Sequence, residues 1–177
     1  EIHAHGAMGY DVTDGTVEAI EAIAKAKLAE GVTTYLPTTL TLPEERLAAA
    51  LRAVASYKEN EKYAKVPGVH LEGPYINPKS IGAQNPDYVR APDIDEVMRL
   101  HAIMKVCLVT FAVEVEGGID FLKALRKADI VASCGHSTAT YAQTMTAREA
   151  GLTHLTHFCN QMSPLHHREV GLVGSAL

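Results

Sequence analysis

No stretch of this chain reaches the roughly 18 consecutive apolar residues that a membrane span needs, so no membrane partner is expected. The net charge of −5 comes without any cluster of lysine and arginine, which argues against nucleic acid as a partner. No signal-peptide pattern opens the chain, and no repeat or low-complexity tract interrupts it. Cysteine is scarce. Cys107, Cys134 and Cys159 are odd in number and show no CxxC spacing. They fit a reducing, cytoplasmic setting and read as small buried residues.

What is present is a globular composition. The hydrophobic content is 47% and the charged content 21% over 177 residues, enough for one domain with a real core. The one unusual count is nine histidines, because several of them close apolar runs. The run from Val66 to Leu71 ends in Glu72 and is broken at once by Gly73 and Pro74, which reads as a buried strand delivering a carboxylate at its C-terminal end. Such a carboxylate needs a partner, since burying an unpaired charge is costly. His3 and His5 end another run, His136 a third and His157 a fourth. Histidines and a carboxylate at the ends of parallel strands are how a barrel hydrolase builds a metal site.

Taken in order, Glu1–His5 reads as a strand entered midway, as in a chain taken from inside a larger protein. Residues i and i+2 of a strand share a face, so His3 and His5 point together. Gly6–Gly9 then turns the chain. Thr16–Ala29 has helical spacing (Val17, Ile20, Ile23, Ala24, Leu28) and stops at Gly31. Val32–Pro37 is a second strand. Thr41–Glu44 has capping-box spacing and opens a helix to about Tyr57. Val66–Glu72 is the third strand. The long polar stretch Ile76–Arg90 is a candidate substrate lid. A short helix follows from Asp93 to His101, then a strand Val106–Val113 ending near Glu114, and a helix Gly118–Lys127. The fifth strand, Ile130–Cys134, is closed by Gly135-His136-Ser137. A helix Thr140–Ala150, with Gln143 completing its cap and Gly151 stopping it, leads to a sixth strand Leu152–His157. The tail from Phe158 shows no clear final element.

Strands alternating with helices imply a parallel sheet. The expected fold is α/β: a partial (β/α)8 TIM barrel with about six of eight strands. An open doubly wound sheet is the alternative. The barrel is favoured because the candidate ligands sit on strands one, three, five and six, which a barrel brings to one mouth. His70 shares the Glu72 face but lies deeper, and reads as a hydrogen-bonded core histidine. His154 is an odd number of positions from His157, faces away and reads as structural. His166 and His167 read as solvated loop residues. Arg168, in the last loop, suits an anionic substrate group or a surface ion pair.

His70-Leu71-Glu72-Gly73-Pro74, Gly82-Ala83-Gln84-Asn85-Pro86, Gly135-His136-Ser137 and Thr156-His157-Phe158-Cys159-Asn160-Gln161-Met162 together resemble the N-acetylglucosamine-6-phosphate deacetylases of the amidohydrolase superfamily. The motifs follow the family's order and near-family spacing over essentially the whole chain. The resemblance implies a divalent metal, zinc or iron, held by Glu72, His136 and His157. His3 and His5 leave a second ion open, with the glutamate bridging. It implies that Asn160, Gln161 and Gln84 touch the amino-sugar phosphate, although Gln161 stands where the family more often has Ala. Arg168 matches a phosphate-binding arginine that reaches the neighbouring subunit's site in a homodimer. Glu114 and His70 fall outside the ligands, supporting them. The proton-transferring aspartate, the last barrel strands and the flanking β-sandwich are expected beyond residues 1–177, so this chain alone is expected to be inactive. The rivals are another amidohydrolase, dihydroorotase-like or an amino-acid deacetylase, and a catalytically incomplete metal-binding fragment. The place of a carboxylated lysine is taken by Glu72, which speaks against the dihydroorotase-like reading.

Overall fold

A computed structural model describes residues 1–177, the whole of the sequence. The chain divides into two units, Glu1–Glu72 with Asp95–Cys107, and Gly73–Ile94 with Leu108–Leu177.

The first unit opens with a short antiparallel hairpin, β1 (Gly6–Ala7) and β2 (Tyr10–Asp11). Helix α1 (Val17–Ala29) follows. Its N-cap is Thr16, whose hydroxyl accepts from the Ala19 N–H, an arrangement typically worth about 1 kcal/mol. Ala19, Ile20, Ile23 and Ala24 are its buried stripe, while Val17 and Leu28 remain exposed at its ends. Helix α2 (Glu44–Lys58) buries Leu47, Leu51, Val54 and Tyr57. The expected capping box at Thr41 does not form. Pro43 is the N-cap, without a side-chain bond, which makes Glu44 the first helical residue instead of the third, and Thr41 is buried.

The expected first and second strands pair in parallel through a single bridge, Ala4 with Pro37, and single bridges from Thr34 to Lys65 and from Thr38 to His70 join the second to the third. Pro37 has no N–H to give to a ladder, so the pairing cannot run unbroken there. Strand β3 (Val69–Glu72) is buried throughout, and the Val69 N–H donates to the Lys105 carbonyl at 2.9 Å. Helix α3 (Ile94–Ile103) is tied to α2 by a forked ion pair between Arg99 and Glu44, at 2.8 and 3.0 Å. Strand β4 (Val106–Phe111) begins in the first unit and continues into the second.

In the second unit, helix α4 (Gly118–Lys127) buries Phe121, Leu122 and Leu125. Phe121 meets Tyr75 and Phe111 edge-on, with centroids 5.0 and 5.1 Å apart. Strand β5 (Val131–Cys134) pairs in parallel with β4, Leu108 opposite Val131 through Phe111 opposite Cys134. Helix α5 (Tyr141–Ala150) has the expected Thr140–Gln143 capping box and a left-handed Gly151 at its end. Strand β6 (His154–Leu155) pairs in parallel with β5. The tail does carry an element, the short helix α6 (Gly171–Ser175). No helix is long and apolar enough to cross a membrane.

Two short 3₁₀ turns, Pro78–Ser80 and Pro86–Tyr88, organise the stretch after β3, and each is capped by the preceding Asn. Ile76, Ser80 and Gln84 are buried, and the Asn77 N–H donates to the His136 carbonyl at 3.0 Å. The start of the expected lid is therefore pinned by its own backbone. Cys134 is buried, its thiol pushed up to about 12 by burial. Cys159 is exposed, contrary to expectation, because it lies past the end of β6 in a loop.

Candidate metal sites

In the first unit, the Glu72 carboxylate is 1% exposed and two histidines face it. His5 Nε2 lies 3.1 Å from Oε2 and His3 Nε2 3.6 Å from Oε1. The two rings meet edge-on with centroids 4.9 Å apart. Ala4 between them is buried, its N–H donating to the Thr38 hydroxyl at 2.9 Å. His5 Nδ1 is 3.1 Å from the Thr38 carbonyl. A carbonyl can only accept, so Nδ1 carries the proton in the neutral ring and Nε2 turns a lone pair to the carboxylate. Such a pair is favourable only with a cation between, a proton or a metal ion. Burial works against the protonated ring. The hydrogen bond and charge of Glu72, with the Thr38 carbonyl and Asp11, outweigh it and hold His5 above its ordinary value.

His70 differs. It is fully buried, and its Nδ1–H donates to the Ile2 carbonyl at 2.9 Å. Burial, then the nearby His3, lowers it to about 3, so the ring is neutral at ordinary pH.

In the second unit, His136 follows β5 and His157 follows β6. Gly135 lies between Thr110 and Thr156, where a Cβ would come within 2.9 Å of both side chains. Only glycine fits, and this close approach sets where His136 leaves the strand. His136 and His157 have positive φ, 49° and 37°, a left-handed conformation that non-glycine residues hold only when their surroundings enforce it. The His136 Nδ1–H donates to the Ser80 carbonyl at 2.9 Å and the His157 Nδ1–H to the Asn160 carbonyl at 3.0 Å. Both Nε2 lone pairs are therefore aimed outward, and they meet at 3.1 Å. Two neutral acceptors do not attract each other. Nitrogen ligands about 2.0–2.1 Å from one zinc stand roughly 2.9 Å apart at a right angle and about 3.3 Å apart at the tetrahedral angle. The observed spacing lies between, so the pair fits a divalent cation. The Nδ1-to-carbonyl bonds are also the support that metal-binding histidines ordinarily have.

No protein-family model matches the sequence. Known proteins do. The chain is 38% identical over its full length to an N-acetylgalactosamine-6-phosphate deacetylase of Escherichia coli O157:H7, covering 48% of that protein. It is 34% identical, again over its full length, to an N-acetylglucosamine-6-phosphate deacetylase of Bacillus subtilis, covering 46% of it. The chain resembles these deacetylases from end to end. Solved N-acetylglucosamine-6-phosphate deacetylases superpose closely as well. The Mycobacterium smegmatis enzyme matches at TM-score 0.91 and 31% identity, and the Thermotoga maritima enzyme at TM-score 0.88 and 36% identity. Each match covers 99% of this chain, and 46% and 47% of those chains. The chain thus spans just under half the length of the deacetylases it matches.

The remaining candidates fall around the second-unit histidines to different degrees. Gln161 lies against Gly82, and its Oε1 accepts weakly from the Ser80 hydroxyl at 3.5 Å. Its backbone carbonyl accepts from the Ser137 N–H at 3.0 Å, joining the His157 loop to the His136 loop. Asn160 is exposed and reaches His157 through its carbonyl. Gln84 is buried, 8% exposed. Arg168 is exposed in a turn in which His166 and Glu169 exchange backbone hydrogen bonds. His154 is exposed beside Thr153. Glu114 takes four donors: Ser137 Oγ–H at 2.6 Å, the Thr138 N–H at 2.6 Å and its hydroxyl at 3.2 Å, and Asn77 Nδ2 at 2.8 Å. Sequence reading missed Asn77, Ser80 and the Thr110–Thr156–Ser133 hydroxyl chain. The Asn77-Pro78 dipeptide was a visible turn signal, but the Ser80 contact is made by backbone and leaves no trace in residue type.

Proposed function

We propose that this chain carries the metal-binding part of a deacetylase acting on an N-acetylhexosamine 6-phosphate, giving acetate and the free amino sugar phosphate. The observation that carries this reading is the facing Nε2 pair of His136 and His157, set beside the end-to-end likeness to amino-sugar phosphate deacetylases. Glu72, His136 and His157 would hold one divalent cation, zinc or iron, and His3 and His5 a second that shares Glu72. Such a cation supplies Lewis acidity to the acetamide carbonyl and makes water nucleophilic near neutral pH.

The chain's own residues do the rest of what falls to it. Fixed Nδ1–H bonds keep the histidine lone pairs outward. Asn160, Gln161 and Gln84 would position the sugar. Arg168 would hold the phosphate, whose oxygens suit a forked guanidinium, from the neighbouring subunit of a homodimer. In the hydrolysis the amide C–N bond breaks, hydroxide goes to the acetyl carbon and a proton to the leaving nitrogen. That proton shuttle is assigned to an aspartate outside residues 1–177, as are the last barrel strands and a flanking β-sandwich. The cytoplasm is the proposed setting.

The relative at 38% identity is named for the galactosamine epimer, so the configuration at the sugar's C4 is open between two named substrates. The test is acetate release from N-acetylglucosamine 6-phosphate and N-acetylgalactosamine 6-phosphate by the full-length protein that contains this segment, before and after chelation. Chelator-sensitive release from one or both is expected. A folded, metal-loaded protein that releases acetate from neither sinks the deacetylase reading and leaves metal binding alone.

A further inference from the structure

The Asn77 side chain makes three hydrogen bonds, using both of its amide N–H donors and one lone pair of its oxygen. Its Oδ1 accepts from the Lys79 N–H at 2.9 Å, capping the 3₁₀ turn. Its Nδ2 donates to Glu114 Oε1 and to the Thr138 hydroxyl, both at 2.8 Å. Its backbone is occupied too. The N–H donates to the His136 carbonyl at 3.0 Å, and its carbonyl accepts from the Ser80 N–H at 2.9 Å. Ser80 is the residue whose carbonyl accepts the hydrogen bond from the His136 Nδ1–H. The Asn77 backbone therefore reaches both ends of His136, its backbone directly and its ring through Ser80, and the Asn77 side chain holds that turn in place through Lys79, Glu114 and Thr138. Glu114 closes the circuit by holding Ser137 and Thr138, the two residues after His136.

This matters because His136 has two unstable features to be held. Its φ of 49° is strained for a non-glycine residue and persists only where neighbours over-determine it. Its neutral ring could also carry its proton on either nitrogen, and only the Nδ1–H form leaves Nε2 bare toward His157. Both depend on the 77–80 turn staying where it is.

We infer that Asn77 is a positioning residue that sets the tautomer and direction of the His136 ring for cation binding. The inference rests on the metal reading above. Two measurements test it on the full-length protein that contains this segment. The first is Co²⁺ affinity, by competition with a chromophoric chelator, together with the visible spectrum of the bound ion. Asn77→Ala should weaken Co²⁺ binding by about 10–100-fold, the usual cost of removing an outer support, and alter the spectrum. Asn77→Asp keeps the cap oxygen but turns a carboxylate toward Glu114, and should weaken binding at least as much. Asn77→Ser retains an oxygen for the Lys79 N–H and serves if the alanine variant does not fold.

The second measurement is the long-range ¹H–¹⁵N spectrum of His136 in the metal-free protein. It should show Nδ1–H in the parent and a mixture of tautomers in the variants. Folded variants with parental Co²⁺ affinity and spectrum overturn the inference. A parent protein that binds no Co²⁺ overturns the metal reading instead. The tautomer spectrum then decides Asn77 alone, and an Nδ1–H signal unchanged by Asn77→Ala overturns it.

Discussion

The Nε2 atoms of His136 and His157 face each other at 3.1 Å, each ring donating its Nδ1–H to a backbone carbonyl, of Ser80 and of Asn160. In the absence of a cation this contact is repulsive, and its relief should be measurable as affinity. His136→Ala and His157→Ala are each expected to lower Zn²⁺ affinity by more than the roughly 10–100-fold that loss of an outer support costs. Calorimetric titration checks this. Zn²⁺ binding that survives both substitutions unchanged would place the ion elsewhere.

The His3–His5 pair is a separate prediction, because its partner Glu72 stands within 3.1 and 3.6 Å of the two rings. Replacing both histidines with alanine should reduce the number of ions bound per chain by one while leaving binding through His136 and His157 in place. Metal analysis of the dialysed protein reads the count. An unchanged stoichiometry would show that His5 and Glu72 share a proton and no more.

Gly135→Ala should destabilise the fold. The added methyl meets Thr110 and Thr156 at 2.9 Å, both held by the Thr110–Thr156–Ser133 hydroxyl chain at 2.6 and 2.7 Å. Neither can rotate away without breaking it. Overpacking of this kind costs typically about 1–3 kcal/mol. A thermal midpoint equal to the parent's would mean that the strands separate there easily.

Acid stability should carry the mark of His70. Its folded value, about 3, lies below the ordinary 6.5. As the pH falls, the unfolded chain takes up this proton first, so the stabilising contribution is complete above about 6.5 and is lost between there and about 3. His5, held above its ordinary value by Glu72, acts in the opposite sense. The comparison must therefore be between the metal-free parent and a His70→Gln variant, by urea unfolding at about pH 7.5 and about pH 4.5. The parent should lose more stability than the variant on acidification. Parallel losses in the two chains would show that His70 is accessible to protons in the folded state.

Much of the architecture was legible because it depends on local chemistry. Thr16, Thr140 with Gln143, and Gly151 mark their helix ends as their side chains require. The apolar runs ending in Glu72, His136 and His157 mark strand ends, and the i, i+2 spacing brings His3 and His5 to one face. The failures are equally local in cause. Pro43 moved the start of α2 and displaced the Thr41 cap. Pro37 left the second strand as isolated bridges.

The sequence by itself determined which side chains stand at strand ends and that they are ligand types. It could not determine what those side chains do with their second nitrogen. That depends on the carbonyls of Thr38, Ser80 and Asn160, and every residue has a carbonyl. Nor could it show that Asn77 and Glu114, 37 positions apart, converge on the residues around His136. Only the tertiary structure decided these, because a backbone acceptor acquires its role from where the chain places it, and residue type carries no record of that position.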